Sequence, residues 1–403
     1  MLAALSLSAK IEFKQEEGRN LVAVIDAGSS GSRLYIFQYR DNPGPTQNRV
    51  IEITNHKVEP GISTFGSNPS ALNQYFSELI SGTKTKLASY NASNNARLSL
   101  DGMPVYLLAT AGMRNISEND RNKILGAVKS ALEKSELSFK DAQTIRGLDE
   151  AIYAWTAANF NSPTNQPLGI VEIGGASTQV VFPFSGSNPH AVTINLRGKD
   201  YKLYAYSYPK NGENESINRI KSFDKVKFDA VCETMTGAKR KASTFNECVN
   251  LIVDSFKIDC NNKTTCKSGW TNEAVQPNIE SATPFTVAGM IRAAKNDFVN
   301  TKSSQIPLTQ GALKEAGSFA CQMTTNDIVA QKAIKDPRFA SKACFQSALS
   351  YAMLYGNAGI VNAKEPFKGV GLPSTVSLVD SPAPGPEWSI GFVLFQEADG
   401  RFK

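Results

Sequence analysis

Two stretches of this chain read alike. Leu21–Phe37 is LVAVIDAGSSGSRLYIF, and Leu168–Phe184 is LGIVEIGGASTQVVFPF. Each sets an aliphatic, β-branched run before one acidic residue. A turn of Gly, Ser, Ala and Thr follows, then a second apolar run. Asp26 aligns with Glu172, Gly28 with Gly174, Ser29 with Gly175 and Arg33 with Gln179. Apolar β-branched runs on both sides predict strands. Each glycine turn is therefore expected to close a β-hairpin rather than to open a helix. Neither GxxxxGK[ST] nor GxGxxG is present. One such turn is plain punctuation. Two matched turns in one chain imply duplicated domains, each offering one loop to a shared cleft.

The chemistry of the loops suits phosphate. Glycine lets successive backbone N–H groups face one concavity and lets an anion come close. Serine and threonine hydroxyls add donors. An acidic residue at the end of the leading strand would repel phosphate unless a divalent cation stood between them. Asp26 and Glu172 therefore read as holders of a hydrated metal ion.

Two further stretches lie between the loops. Met103–Arg114, MPVYLLATAGMR, reads as a strand over Val105–Ala109 that ends in Thr110, Ala111 and Gly112. Helical spacing follows at Ile124, Leu125, Val128 and Leu132. Ile145–Phe160, IRGLDEAIYAWTAANF, reads as an amphipathic helix with Asp149 and Glu150 in its first turn. A helix dipole favours acidic residues there, so a solvated helix start is the plain reading. The chemical reading makes one of the two carboxylates a general base, since phosphoryl transfer to water needs a group to orient and deprotonate that water.

Composition narrows the options. The chain has 403 residues, enough for two or three domains with their own cores. Only His56 and His190 are present, which disfavours a histidine-rich zinc site or histidine acid–base chemistry. A net charge of +6 is compatible with an anionic substrate and too weak to argue for nucleic acid. No apolar run approaches the ~20 residues of a transmembrane helix. The six cysteines, Cys232, Cys248, Cys260, Cys266, Cys321 and Cys344, all lie in the second half. None forms a C-x-x-C. Pairing of sequence neighbours, Cys232–Cys248, Cys260–Cys266 and Cys321–Cys344, is expected, with buried reduced thiols as the alternative. Disulfides would place the protein in an oxidising compartment, secreted or extracellular. The N-terminal MLAALSLSAK reads as the tail of a trimmed signal peptide or a remnant of other origin. Sequons begin at Asn91, Asn115, Asn214 and Asn262 and support secretion weakly.

Taken in order, five segments resemble the apyrase-conserved regions of the nucleoside triphosphate diphosphohydrolases. They are Val24–Phe37, Leu107–Arg114, Gly147–Phe160, Ile170–Phe182 and Trp388–Leu394, with Lys57–Pro69 as a secondary block. The resemblance implies an α/β chain of two ribonuclease-H-like, actin-like domains with the active site in the cleft between them. It implies hydrolysis of nucleoside tri- and diphosphates with Ca²⁺ or Mg²⁺ and no phosphoenzyme. By position, Glu150 matches the general base, and Ser177 and Gln179 match the holders of the attacking water. Asp26 and Glu172 match the residues that bind metal through its waters. Ser29, Ser30, Gly31 and Ser32 match the first phosphate loop, and Gly174, Gly175 and Ala176 the second. Thr110 and Ala111 match the block near the terminal phosphate. The family grips the base between aromatic side chains, and Tyr351 and Tyr355 on a predicted helix are the candidates. Packing is the alternative for both. Ala151 stands where the family usually has glycine, and Glu172 where aspartate is commoner.

Two rivals remain. An exopolyphosphatase or guanosine-pentaphosphate phosphatase shares the fold and the skeleton of loops. An actin- or chaperone-like nucleotide switch would turn over slowly. The expected domains are 20–147, joined by 376–403, and 148–375. Ser185–Asp224 reads as an inserted loop region, Asp259–Gln276 as a disulfide-closed loop and Pro373–Glu387 as an extended connector.

Overall fold

The structure is a computed structural model. It describes residues 10–161, 166–233, 240–241, 243–259, 276–280, 282–291, 309–332, 340–356, 369–373, 387–398 and 401–402. The expected Cys260–Cys266 pair, the loop 260–275, the N-terminal nine residues and most of the connector 374–386 lie outside them.

In chain order the strands are β1 (Lys14–Glu16), β2 (Arg19–Ala27), β3 (Ser32–Tyr39), β4 (Val50–Val58), β5 (Pro104–Ala109), β6 (Ser138–Thr144), β7 (Gly169–Ile173), β8 (Ser177–Pro183), β9 (Ala191–Leu196), β10 (Lys199–Pro209), β11 (Phe285–Gly289) and β12 (Arg401–Phe402). The helices are α1 (Leu72–Asn94), α2 (Ala111–Arg114), α3 (Glu118–Glu133), α4 (Gly147–Phe160), α5 (Glu213–Val231), α6 (Thr244–Asp259), α7 (Gln310–Gln322), α8 (Thr325–Lys332), α9 (Ala343–Tyr355) and α10 (Trp388–Glu397).

The chain divides into two compact units. The first comprises Met1–Gln166, Val192–Lys202 and Pro382–Lys403; the second comprises Pro167–Ala191 and Leu203–Ser381. The division falls later than residue 147. The reason is α4, which packs on α10 within the first unit: the Tyr153 ring meets Phe392 and Phe395 edge-on at 5.6 and 5.5 Å. A Cβ at Gly391 would run into the Tyr153 carbonyl, so this helix crossing needs glycine. Four alanines, Ala151, Ala154, Ala157 and Ala158, leave α4 without a broad polar face, and Asp149–Asn159 are all buried. The helix is thus buried all round rather than amphipathic.

The sheet of the first unit runs β4-β3-β2-β5-β6. β2–β3 and β3–β4 are antiparallel, and β2–β5 and β5–β6 are parallel. The second unit repeats this with β10-β8-β7-β11. There β7–β8 and β8–β10 are antiparallel and β7–β11 is parallel. Both glycine turns therefore close hairpins, and each leading strand has a parallel neighbour. The aliphatic runs explain this burial: Leu21–Ile25 and Gly169–Ile173 are buried without a break, as strands covered on both faces require.

Ser185–Asp224 is not a loop insertion. It holds β9, β10 and the first turns of α5. The alternation in YKLYAYSYP belongs to a strand, and the polar NGENES that follows starts a helix. In the second unit α9 is buried along its whole length and packs beside α6 and α7. Disulfides join Cys232 to Cys248 and Cys321 to Cys344, with Cα atoms 5.1 and 4.4 Å apart. Among the described residues no helix is long and apolar enough to cross a membrane.

Candidate active site

The two turns share one backbone geometry. Gly28 N–H donates to the Gly31 carbonyl at 2.9 Å, and Gly174 N–H donates to the Ser177 carbonyl at 3.0 Å. Asp26 sits opposite Arg33 in the first hairpin, as Glu172 sits opposite Gln179 in the second. Each turn is braced by a glycine after the third strand. A Cβ at Gly61 would meet the Ser29 carbonyl, and one at Gly212 would meet the Ala176 N. Among the described residues the N–H groups of Ser29, Ser30 and Gly175 meet no acceptor of the chain, as an anion-binding concavity requires.

The carbonyl side of the second loop is occupied. Glu213 and Asn214, at the start of α5, donate their N–H groups to Gly174 and Gly175 at 2.9 and 2.8 Å. These are donors that a helix start leaves unsatisfied. In the first loop Ser32 stands behind the turn. Its N–H is spent on Tyr75 Oη at 2.9 Å and its hydroxyl is buried. The Ser32 N–H is thus already bound within the chain, unlike those of Ser29 and Ser30.

Asp26 Oδ1 is buried and has no hydrogen-bond partner. Burial, with the fields of Glu150 and Glu387, pushes its carboxyl up to about 7, while Arg33 and Lys57 pull the other way. An orphaned buried oxygen calls for an explanation. A hydrated cation fits it, since positive charge would relieve the repulsion. Among the described residues no group of three His, Cys, Asp or Glu side chains could cage an ion directly.

Thr110 caps α2 and donates its N–H to Ala27, at the foot of the first loop, at 3.2 Å. The two carboxylates in the first turn of α4 are separated by their partners. Asp149 accepts from the Arg146 N–H at 3.1 Å and from its guanidinium at 2.9 and 2.6 Å, which ties off the helix start. Glu150 is 5% exposed, and its Oε2 accepts from Arg114 Nη2 at 2.8 Å. Burial raises the Glu150 carboxyl above its ordinary range, and Arg114 partly offsets that. Asp149 is thus engaged at its own helix start, whereas Glu150 is held from α2.

In the second unit Gln179 donates Nε2 to Ser177 Oγ at 2.8 Å and to Ser207 Oγ at 3.0 Å. Its Oε1 is buried with no partner. That oxygen is an acceptor with its orientation already fixed. Sequence reasoning missed Ser207, which faces Gln179 across the β8–β10 ladder. It also missed Lys57, whose stem lies over Gly31 and whose charge reaches Asp26. The signal for Lys57 was present in the KVEPG block.

Tyr351 and Tyr355 are core residues, 1% and 4% exposed. Tyr351 packs edge-on against Phe245 and accepts from Gln310 Nε2 at 3.1 Å. Both rings belong to the hydrophobic core of the second unit.

The family model described as GDA1/CD39 (nucleoside phosphatase) matches residues 12–372. The chain belongs to this family. Among relatives of this GDA1/CD39 chain, "Probable apyrase 6" of Arabidopsis thaliana is 35% identical over 212 residues, 49% of this chain and 36% of that protein. "Probable apyrase 3" of the same plant is 27% identical over 374 residues, 84% of this chain and 75% of that one. "Nucleoside-triphosphatase" of Pisum sativum is 24% identical over 406 residues, covering 88% and 84%. The chain spans about a third of the length of the first and three quarters of the second. The solved nucleoside triphosphate hydrolase structure from Neospora caninum has a TM-score of 0.54 at 14% identity, covering 94% of this chain and 93% of that one. That likeness concerns the fold, two sheet-containing domains of the actin-like type.

Proposed function

We propose that the chain hydrolyses nucleoside tri- and diphosphates to lower phosphates and orthophosphate. Water attacks in line and Glu150 takes its proton. The observation that carries this reading is the pair of matched loops with anion-facing N–H groups, one loop in each unit, together with one buried carboxylate held at its own helix start. Ser29, Ser30 and Gly31, with Gly174, Gly175 and Ala176, cradle phosphate oxygens through N–H and hydroxyl donors, which is where most of the catalysis of phosphoryl transfer arises. Thr110 and Ala111 hold the rim of the first loop. Ser177 and the free oxygen of Gln179 orient the water. Asp26 and Glu172 would hold a Ca²⁺ or Mg²⁺ ion through its waters. Such an ion supplies positive charge to the phosphate oxygens.

The family match favours nucleotides over polyphosphate as substrate. The two disulfides support an oxidising compartment, and we read the protein as secreted or extracellular. The test is phosphate release from ATP, ADP, UDP and long-chain polyphosphate, each with Ca²⁺, Mg²⁺ or chelator. Release from nucleotides that stops with chelator is expected. Release from polyphosphate alone, or none from any nucleotide, overturns the reading.

A further inference from the structure

The short helix α2 joins the first loop to Glu150 by a continuous set of contacts. At one end Thr110 N–H donates to Ala27 at 3.2 Å. Gly112 lies so close to the loop that a Cβ there would stand 2.9 Å from Ser29 Cα. Arg121 of α3 holds the other end, donating Nε to the Met113 carbonyl at 3.1 Å and Nη2 to the Ile116 carbonyl at 3.2 Å. Arg114, the last residue of α2, reaches across to α4. Its Nη1 donates to the Ile145 carbonyl at 3.1 Å, just before the α4 cap, and its Nη2 donates to Glu150 Oε2 at 2.8 Å.

We propose that Arg114 is a positioning residue that fixes the carboxylate of Glu150 relative to the first phosphate loop. The proposal rests on the reading of Glu150 as the base. With Oε2 held by Arg114, Oε1 is the oxygen left to take a proton from water. The guanidinium fork suits the task because it spans two acceptors in a fixed plane, which an ammonium group cannot copy. Arg114 also supplies the positive charge that a buried carboxylate needs in order to stay ionised. The other charged groups nearby are Asp26 on β2, on which the field of Glu150 acts, and Asp149 in the first turn of α4 with Arg146 just before it, which are paired with each other. A purely structural ion pair is the alternative, and a buried pair is weak evidence for stability in its own right.

The experiment compares Arg114→Gln, Arg114→Lys and Glu150→Gln in the full chain. It reads kcat and KM for a nucleoside diphosphate between about pH 5 and pH 9.5, with thermal melts. Arg114→Gln is expected to lower kcat about 10- to 100-fold at pH 6.5 with KM within about twofold. Its acidic limb should move up by about one pH unit or more, so that the deficit shrinks toward pH 9. Arg114→Lys keeps the charge and loses the bridge, so kcat should fall while the limb stays near its wild-type place. A deficit in Arg114→Gln that is uniform in pH, or no deficit, overturns the proposal. If that variant does not fold, wild-type kcat in Arg114→Lys overturns it instead. Wild-type kcat in Glu150→Gln overturns the base assignment separately.

Discussion

The two hairpin loops have the same backbone and different surroundings. Both close with one N–H···O=C bond at matched positions, and both are pressed by a glycine that follows the third strand. Around the first loop the side chains are charged: Asp26, Arg33 and Lys57 with Glu150 and Glu387 in range. Around the second they include a neutral set, Ser177, Gln179 and Ser207. The second loop is also tied to α5 through its carbonyls, and its unit is stapled by two disulfides. Among the described residues the first unit holds no cysteine. The two loops thus share their backbone geometry and differ in their side chains. Each loop keeps one buried carboxylate at its leading strand, Asp26 or Glu172, and the groups opposite differ: Arg33 in the first and Gln179 in the second.

The largest effects should come from the acidic pair. Asp26→Asn and Glu172→Gln are each expected to lower kcat/KM about 100-fold or more at fixed Ca²⁺ or Mg²⁺, with part of the loss recovered at higher cation concentration for either variant. No recovery in either variant would contradict a role for these carboxylates in holding the ion. Asp26 also carries a pH signature in metal-free protein. Its folded-state carboxyl, raised to about 7 from 3.8, binds a proton that the unfolded chain has already released. Stability therefore falls as pH rises from about 4 to 7, by roughly 4 kcal/mol at most. Asp26→Asn should flatten that slope in denaturant titrations, and an unchanged slope would contradict the burial of Asp26.

The bracing glycines come next. Gly61→Ala and Gly212→Ala should each displace a loop and lower phosphate release about tenfold, with a stability cost of about 1–3 kcal/mol. A strong effect at one and none at the other would break the equivalence of the loops. The smallest effect on turnover is expected from the staples. Replacing Cys232 and Cys248 together by serine should cost the second unit about 2–4 kcal/mol. Turnover at 25 °C should stay within about twofold, and the first unit should melt as before. Hydrogen exchange on the two units separates these outcomes.

The hairpins were legible in the sequence because buried parallel-flanked strands leave continuous aliphatic runs, and glycine turns punctuate them. The helix after Gly212 was not legible, since NGENES carries the composition of a loop while its N–H groups serve a turn almost forty residues earlier. Tyr351 and Tyr355 share a helix face by spacing, yet spacing does not say whether that face meets a ligand or the core. α4 misled in the same way, because burial all round leaves no polar stripe to contradict an amphipathic reading. The choice of Glu150 over Asp149 could not come from residue types alone. The Arg146–Asp149 pair is local, three residues apart, whereas Arg114 reaches Glu150 only through the fold.

The most direct test of the account is the turnover of Glu150→Gln at saturating nucleoside diphosphate with Ca²⁺ or Mg²⁺, measured beside nucleotide binding to the same protein. A loss of about 100-fold or more in kcat with nucleotide still bound is the predicted result. Wild-type turnover in that variant would contradict it.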